Sequence, residues 1–241
     1  MHNDKAYDLQ KRRPPADWNI TMTARLAIFD LDNTLLCGDS DHAFGEFLIA
    51  RGLVDAQQHK EGNDRFYRDY LAGDLDIHAY LCFALAPLAG LNAAQLTPLQ
   101  VDFMANYVEG MRLQKADALL QQHRDAGDFL LIITATNELV TTPIAAALGV
   151  DDLLASNAEI KDDRYTGKPC GTPCYHQGKV TRLNAWLEQR PFELSQAIFY
   201  SDSHNDIPLL TSVGEAVAVD ADERLSAHAS ANGWRQLSLR N

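Results

Sequence analysis

The sequence predicts an α/β fold: a doubly wound, mainly parallel sheet with a small helical segment inserted after the first strand. Three observations predict it. Short, nearly continuous apolar runs recur along the chain and end in polar residues, as strands covered on both faces do. Helix-patterned stretches separate most of these runs, and strand–helix alternation builds a parallel sheet. One long interval, residues 40 to 111, carries apolar residues at helical spacing and no strand run.

In chain order, residues 1 to 22 mix charge, Pro14 and Pro15 with little apolar periodicity, and read as a flexible extension. Met22 stands directly before the first strand, an alternative point at which translation could begin. Leu26 to Asp30 is the first strand. The insertion over 40–111 follows, with Phe44, Phe47 and Leu48, then Phe66 and Tyr70, then Tyr80, Phe83 and Ala84 at helical spacing. A helix is expected over 112–125, a strand over Phe129 to Thr134, and a helix over 138–148 ended by Gly149. Leu153 to Ser156 is a weaker strand, and Lys161 to Lys168 surrounds a turn that makes a small hairpin beside the main sheet. Helices at 178–189, 206–212 and 221–229 alternate with strands at Ala197 to Ser201 and Ala216 to Val219. The core thus comprises residues 23–39 and 112–241, and the helical cap residues 40–111.

A chain of 241 residues, 46% hydrophobic, can bury one core with a smaller inserted one. Its 33 acidic and 21 basic residues leave a net charge of -12, which argues against nucleic acid or an anionic membrane as partner. A phosphorylated ligand would need local positive charge, from a bound cation and a few placed basic side chains. The apolar stretch Leu81 to Leu91 is too short to span a membrane and is broken by Pro87. Cys37, Cys82, Cys170 and Cys174 form no Cys-x-x-Cys pair, which fits a reducing cytoplasm. The eight histidines include no HExxH spacing, so zinc is not expected.

Ligands of an open parallel sheet gather beyond the carboxyl ends of its strands. Three such ends carry unusual polar residues: Asp30 and Asp32; Thr134 and Thr136; Asp202, Asn205 and Asp206. Carboxylates two residues apart in extended chain share a face and repel one another, and a divalent cation relieves the repulsion. Asp30, Asp202 and the backbone carbonyl of Asp32 form an oxygen-only set that suits Mg²⁺.

These residues resemble the haloacid dehalogenase-like phosphatases, specifically their phosphoserine-phosphatase-like branch. The resemblance covers about residues 24 to 220 and rests on four motifs in order: DLDNT at 30–34, a strand ending in Thr134, Lys179 at a helix start, and DSHND at 202–206. It implies a Rossmann-like core and a Mg²⁺-dependent phosphatase acting on a small phosphorylated metabolite. Asp30 would be the nucleophile that becomes an aspartyl-phosphate, and Asp32 the acid and base for the leaving oxygen and for water. Thr134 would bind phosphate, Lys179 would pair with phosphate and nucleophile, and Asn205 would contact phosphate or substrate. Asp30, Asp32 and Asp202 would hold the metal, with Asp206 on a metal-bound water. Ser201 departs from the family pattern, which has glycine before the fourth-motif aspartate.

The resemblance also implies that the cap reads the leaving group, with Asp39 on a substrate amine and Arg68 on a substrate carboxylate; Arg65 competes for the latter role. Phosphoserine and histidinol phosphate both fit that expectation. His204 is a further candidate for substrate contact, and Cys37, Cys170 and Cys174 read as small buried hydrophobes. Two other readings stay open: phosphotransfer to an alcohol acceptor, and a non-catalytic receiver-like module that only binds Mg²⁺ or accepts regulatory phosphorylation.

Overall fold

The computed structural model describes residues 24–240. The extension expected over residues 1–22, and Met22 with it, lie outside the described residues. Seven strands form one sheet in the order β4-β3-β2-β1-β5-β6-β7, with β1 (Leu26–Phe29) at its centre. Its neighbours β2 (Phe129–Asn137) and β5 (Ile198–Ser201) are parallel to it, as are β3 (Asp152–Lys161) to β2 and β6 (Glu215–Val219) to β5.

The continuous apolar runs resolve into two faces, because successive strand side chains point opposite ways. Ala27, Phe29, Leu130, Ile132, Ile198, Tyr200, Val217 and Val219 enter one core layer. Leu26, Ile28, Leu131, Ile133, Phe199 and Ala218 enter the other. That second layer is covered by α7 (Gln177–Leu187), α8 (Ile207–Leu210) and α9 (Glu223–Asn232) through Leu183, Trp186, Leu209, Leu225 and Ala229.

The first layer is covered by α5 (Gln114–Ala126) and α6 (Glu138–Leu148), and also by inserted helices. Between β1 and β2 lie α1 (Ser40–Ala50), α2 (Ala56–Ala72), α3 (Ile77–Leu85) and α4 (Ala93–Phe103). Phe44, Phe47 and Leu48 of α1 and Leu96 and Phe103 of α4 join the main core, so half of the insertion is built into the body. Helices α2 and α3 share a smaller aromatic contact, in which Phe66 meets Tyr80 and Phe83, and His59 stacks on Phe83.

Three elements differ from the sequence reading. The weak strand at 153–156 is the long β3, which turns through Asp162 and Asp163 (φ 51° and 58°) into antiparallel β4 (Arg164–Cys170). Two consecutive left-handed residues make the tight hairpin turn whose twist matches its strands. A seventh strand, β7 (Arg235–Leu237), pairs with β6; its short polar sequence has no apolar run to announce it. The helix expected at 206–212 is the single turn α8, preceded by a tighter turn at His204–Asp206. No single helix among the described residues is long and apolar enough to cross a membrane.

Candidate active site

The carboxyl end of β1 is the start of the site. The Asp30 amide still donates to the Tyr200 carbonyl at 2.9 Å, so the sheet ladder fixes its backbone. The chain then reverses through Asn33, whose φ of 57° is tolerated because a short polar side chain suits the left-handed region. This turn brings Asp32 against the start of α1. The Ser40 amide donates to Asp32 Oδ1 at 2.6 Å and the Thr136 hydroxyl to Oδ2 at 2.7 Å. Burial first, and then the charge of Asp39, raise the Asp32 acid to about 6, against the lowering effect of those two donors.

Lys179 reaches Asp30 from the first turn of α7 and is 3% exposed. Its depth is set next door. A Cβ on Gly178 would stand 2.1 Å from the Pro173 carbonyl oxygen, so only glycine lets the helix start approach that loop. Lys179 Nζ donates to Asp30 Oδ1 and Asp206 Oδ2, both at 2.7 Å. Burial opposes the ammonium, but Asp206 and Asp30 outweigh it and hold the lysine charged, above its ordinary range. Burial raises Asp30 to about 7 despite Lys179.

Ser201, where glycine was the expected residue, has a definite partner: its hydroxyl donates to Asp206 Oδ2 at 2.7 Å and accepts from the Ser203 amide. Asp206, expected on a metal-bound water, therefore spends Oδ2 on Lys179 and Ser201. Asn205 binds across the seam to the insertion, donating to the Tyr70 carbonyl at 3.3 Å and accepting from the Tyr175 hydroxyl at 3.1 Å. Thr134 is buried, and its hydroxyl accepts from the Thr136 amide at 3.2 Å.

Among the described residues no three His, Cys, Asp or Glu side chains converge as a ready metal cage. The donor chemistry nevertheless fits Mg²⁺, which keeps several waters and needs few protein ligands. The Thr34 hydroxyl donates to Asp202 Oδ1 at 3.0 Å and stands 3.5 Å from Asp30 Oδ2, joining the two carboxylates. Burial and then the charge of Asp30 push the Asp202 acid well above the carboxylate range. Two mutually repelling carboxylates, Asp30 buried and Asp202 half-buried, are the setting in which a cation is favourable.

A cavity opens from Asp30, Asp32, Thr134, Lys179, Asn205 and Asp206 toward the insertion. Asn63, Phe66, Tyr67 and Tyr70 line it from one stripe of α2, with Tyr80 from α3 and Asp39, Asp41 and His42 from the start of α1. Arg68 is not brought there. It is exposed and absent from the wall, because it sits two residues, about 200° of helical rotation, from both Phe66 and Tyr70. Arg65 is also exposed and lies over the Phe66 ring. His204 bonds Asp222 Oδ2 through Nδ1 at 2.7 Å and lies outside the wall. All four cysteines are free thiols; Cys174 is buried as expected, whereas Cys37 and Cys170 are exposed and are not the buried hydrophobes expected.

Sequence reading missed Asp41, Tyr67 and Tyr80 as site residues. The aromatics follow helical spacing and looked like core, and an acid in a first helical turn is an ordinary partner of the helix dipole.

The family model of the haloacid dehalogenase-like hydrolases matches residues 27–211. The chain is 45% identical over 219 residues to a histidinol-phosphatase of Neisseria meningitidis, covering 89% of this chain and 99% of that protein. It is 33% identical over 226 residues to a phosphoserine phosphatase of Mycobacterium tuberculosis, covering 92% of this chain and 72% of the other. Among solved structures, a protein of unknown function from Bordetella pertussis Tohama I superposes with a TM-score of 0.84 at 38% identity, covering 90% and 99% of the two chains. A phosphoserine phosphatase solved as a phospho-aspartyl intermediate analogue gives 0.66 at 17% identity, covering 90% and 94%, a likeness of fold.

Proposed function

The chain belongs to the haloacid dehalogenase-like hydrolases and is a phosphoric monoester hydrolase of that family; we propose that its substrate is histidinol phosphate and that Asp30 carries the phosphoryl group. The observation that carries the substrate choice is the charge of the cavity wall. Next to Asp32, where the cavity meets the insertion, stand Asp39, half-buried, and Asp41, buried, in a wall shared with Phe66, Tyr67, Tyr70 and Tyr80. The basic residues of the wall are Lys179, held by Asp30 and Asp206, and His42, which stands 3.4 Å from Asp64. Phosphoserine brings a carboxylate for which the described residues of this wall offer no unpaired lysine or arginine. Histidinol phosphate brings an amine and a flat imidazole and no carboxylate, and the Neisseria relative is named for that reaction.

In the first half-reaction a carboxylate oxygen of Asp30 bonds to phosphorus while the bond from phosphorus to the leaving oxygen breaks. Asp32 gives that oxygen its proton. In the second, water attacks the same phosphorus, Asp32 takes a proton from it, and the bond to Asp30 breaks, releasing inorganic phosphate. An acid at about 6 exchanges protons readily in both directions near neutrality. Lys179 keeps the nucleophile oriented and faces the anionic phosphoryl group with a fixed positive charge. Asp30, Asp202 and the Asp32 carbonyl would hold Mg²⁺, which supplies charge neutralisation of the transferring phosphoryl group.

Purified protein with Mg²⁺ should release phosphate from histidinol phosphate, and chelation should stop it. Asp30→Asn should lower kcat on the order of 10³-fold or more, since it removes the group that makes the covalent bond. Full activity of that variant would refute the nucleophile assignment, and transfer of phosphate to added alcohols in place of water would identify a phosphotransferase.

A further inference from the structure

The last turn of α2 docks on the loop that carries Asp202 and Asp206. A helix end leaves carbonyls without intrahelical partners. Here the Tyr70 carbonyl accepts from the Asn205 side chain at 3.3 Å, and the Ala72 carbonyl from Arg224 of α9 at 2.8 Å. Arg224 also donates to His204 Nε2 at 3.1 Å, and Asp222 holds the other ring nitrogen. The close approach depends on Gly73, which ends α2 with a φ of 82°; a Cβ there would stand 2.9 Å from His204 Nε2. The side chain of Tyr70 takes part as well. It lines the cavity beside Asn205 and Asp206, and its hydroxyl shares a hydrogen bond with the Ser203 side chain. Ser203 is buried, and its hydroxyl oxygen accepts from the Asn205 amide at 3.2 Å. Burial first, and then the charges of Asp202, Asp30 and Asp206, push the Tyr70 phenol well above its ordinary range, so it stays neutral among them.

We propose that Tyr70 is a positioning residue for the phosphate end of the site: its hydroxyl, acting through Ser203, fixes the tight turn at 203–206 and with it Asn205 and Asp206. The inference rests on the reading of Asp202, Asn205 and Asp206 as the phosphate end, and it gives one residue of the insertion a task other than bordering the leaving group. The two tasks predict different behaviour. A side chain that touches the leaving group affects unlike esters unequally. One that acts through Ser203 on Asn205 and Asp206 affects every ester alike, because the transferring phosphoryl group is common to all of them. Loss of the Tyr70 hydroxyl would also leave the buried Ser203 hydroxyl without that partner, which loosens the turn it caps.

Tyr70→Phe removes the hydroxyl and keeps the ring. It should lower kcat about tenfold for both histidinol phosphate and p-nitrophenyl phosphate, the size of one hydrogen bond in a buried network, and leave the ratio of their kcat/KM values within about twofold of the wild type. Ser203→Ala should lower kcat at least as much. The double variant should be no worse than Ser203→Ala alone, because Tyr70 acts through Ser203. An unchanged kcat in Tyr70→Phe, even with a lower unfolding midpoint, would overturn the proposal and leave Tyr70 a structural residue. A ratio shifted further than that overturns it in favour of leaving-group contact, and losses that multiply in the double variant overturn the route through Ser203. Should Ser203→Ala not fold, Arg224→Ala takes its place, since it loosens the same docking from outside the cavity. Parallel losses of about threefold for the two esters support the proposal, and unequal losses or none overturn it. If the wild type neglects histidinol phosphate, the substrate named above fails on its own, and O-phosphoethanolamine against p-nitrophenyl phosphate decides the role of Tyr70 by the same criteria.

Discussion

The two ends of the cavity are built on different terms. At the sheet end, Lys179 is shared by Asp30 and Asp206, Ser201 completes Asp206, and Thr34 joins Asp202 to Asp30. At the insertion end, aromatic side chains from α2 and α3 border Asp41, which accepts from Asn137 and has Tyr80 beside it. The sheet end is preorganised for a constant group, the phosphate, and its charges are arranged before substrate arrives. In the proposed function the other end receives the leaving group. The packing follows a similar division: α1 and α4 are locked into the main core, and α3 reaches it through Leu85, whereas α2 is held by aromatic contacts to α3 and by tethers such as Asn205 to Tyr70 and Arg224 to Ala72.

The most severe way to break this contrast is at Lys179. Lys179→Met strands Asp30 and Asp206 as buried carboxylates, so it should lower kcat on the order of 10³-fold for every ester. It should also destabilise the fold by about 3–5 kcal/mol, as loss of one partner of a buried ion pair does. Denaturant unfolding and kcat on two unrelated esters check both effects; a loss confined to one ester would mean that Lys179 reads the leaving group.

Asp41 should behave in the opposite sense. Its acid is raised from the ordinary 3.8 to about 8 in the folded protein, so the folded state binds more protons than the unfolded chain between those values. Stability attributable to this group is therefore present at low pH and is lost as pH rises through that window. Asp41→Asn removes the dependence: the wild type should lose stability relative to the variant from pH 5 to pH 8, by at most about 1.4 kcal/mol per pH unit. Parallel stability curves for the two proteins would show that Asp41 is not a strained carboxyl.

The smallest expected effect is at Arg68. Exposed and outside the wall, its replacement by alanine should leave kcat/KM for histidinol phosphate within about twofold. A tenfold loss would show that α2 closes further over bound substrate and carries Arg68 with it.

The same contrast explains what could be read from the sequence. Strand ends were legible because buried strands give continuous apolar runs, and acids immediately after them have no packing role. Asp30, Asp32 and Asp202 emerged that way, whereas the pairing of Lys179 was expected only through the family resemblance. The insertion was legible as helical but not as a wall. Asn63, Phe66, Tyr67 and Tyr70 follow a spacing that core-facing and cavity-facing stripes share. Asp39 and Asp41 differ by two residues, and it is the fold that makes one the cap of α1 and turns the other toward Asn137. Ser201 was visible as a departure, but its hydrogen bond to Asp206 depends on a contact that the sequence cannot display.

The most direct test of the whole account is the ratio of kcat/KM for histidinol phosphate to that for phosphoserine, measured on the purified protein with Mg²⁺. With Asp39 and Asp41 at the insertion end and no unpaired lysine or arginine among the described residues of the wall, the account predicts a preference for histidinol phosphate of about 100-fold or more, since phosphoserine must bury a carboxylate beside those acids. Equal turnover of the two esters, or a preference for phosphoserine, would contradict it.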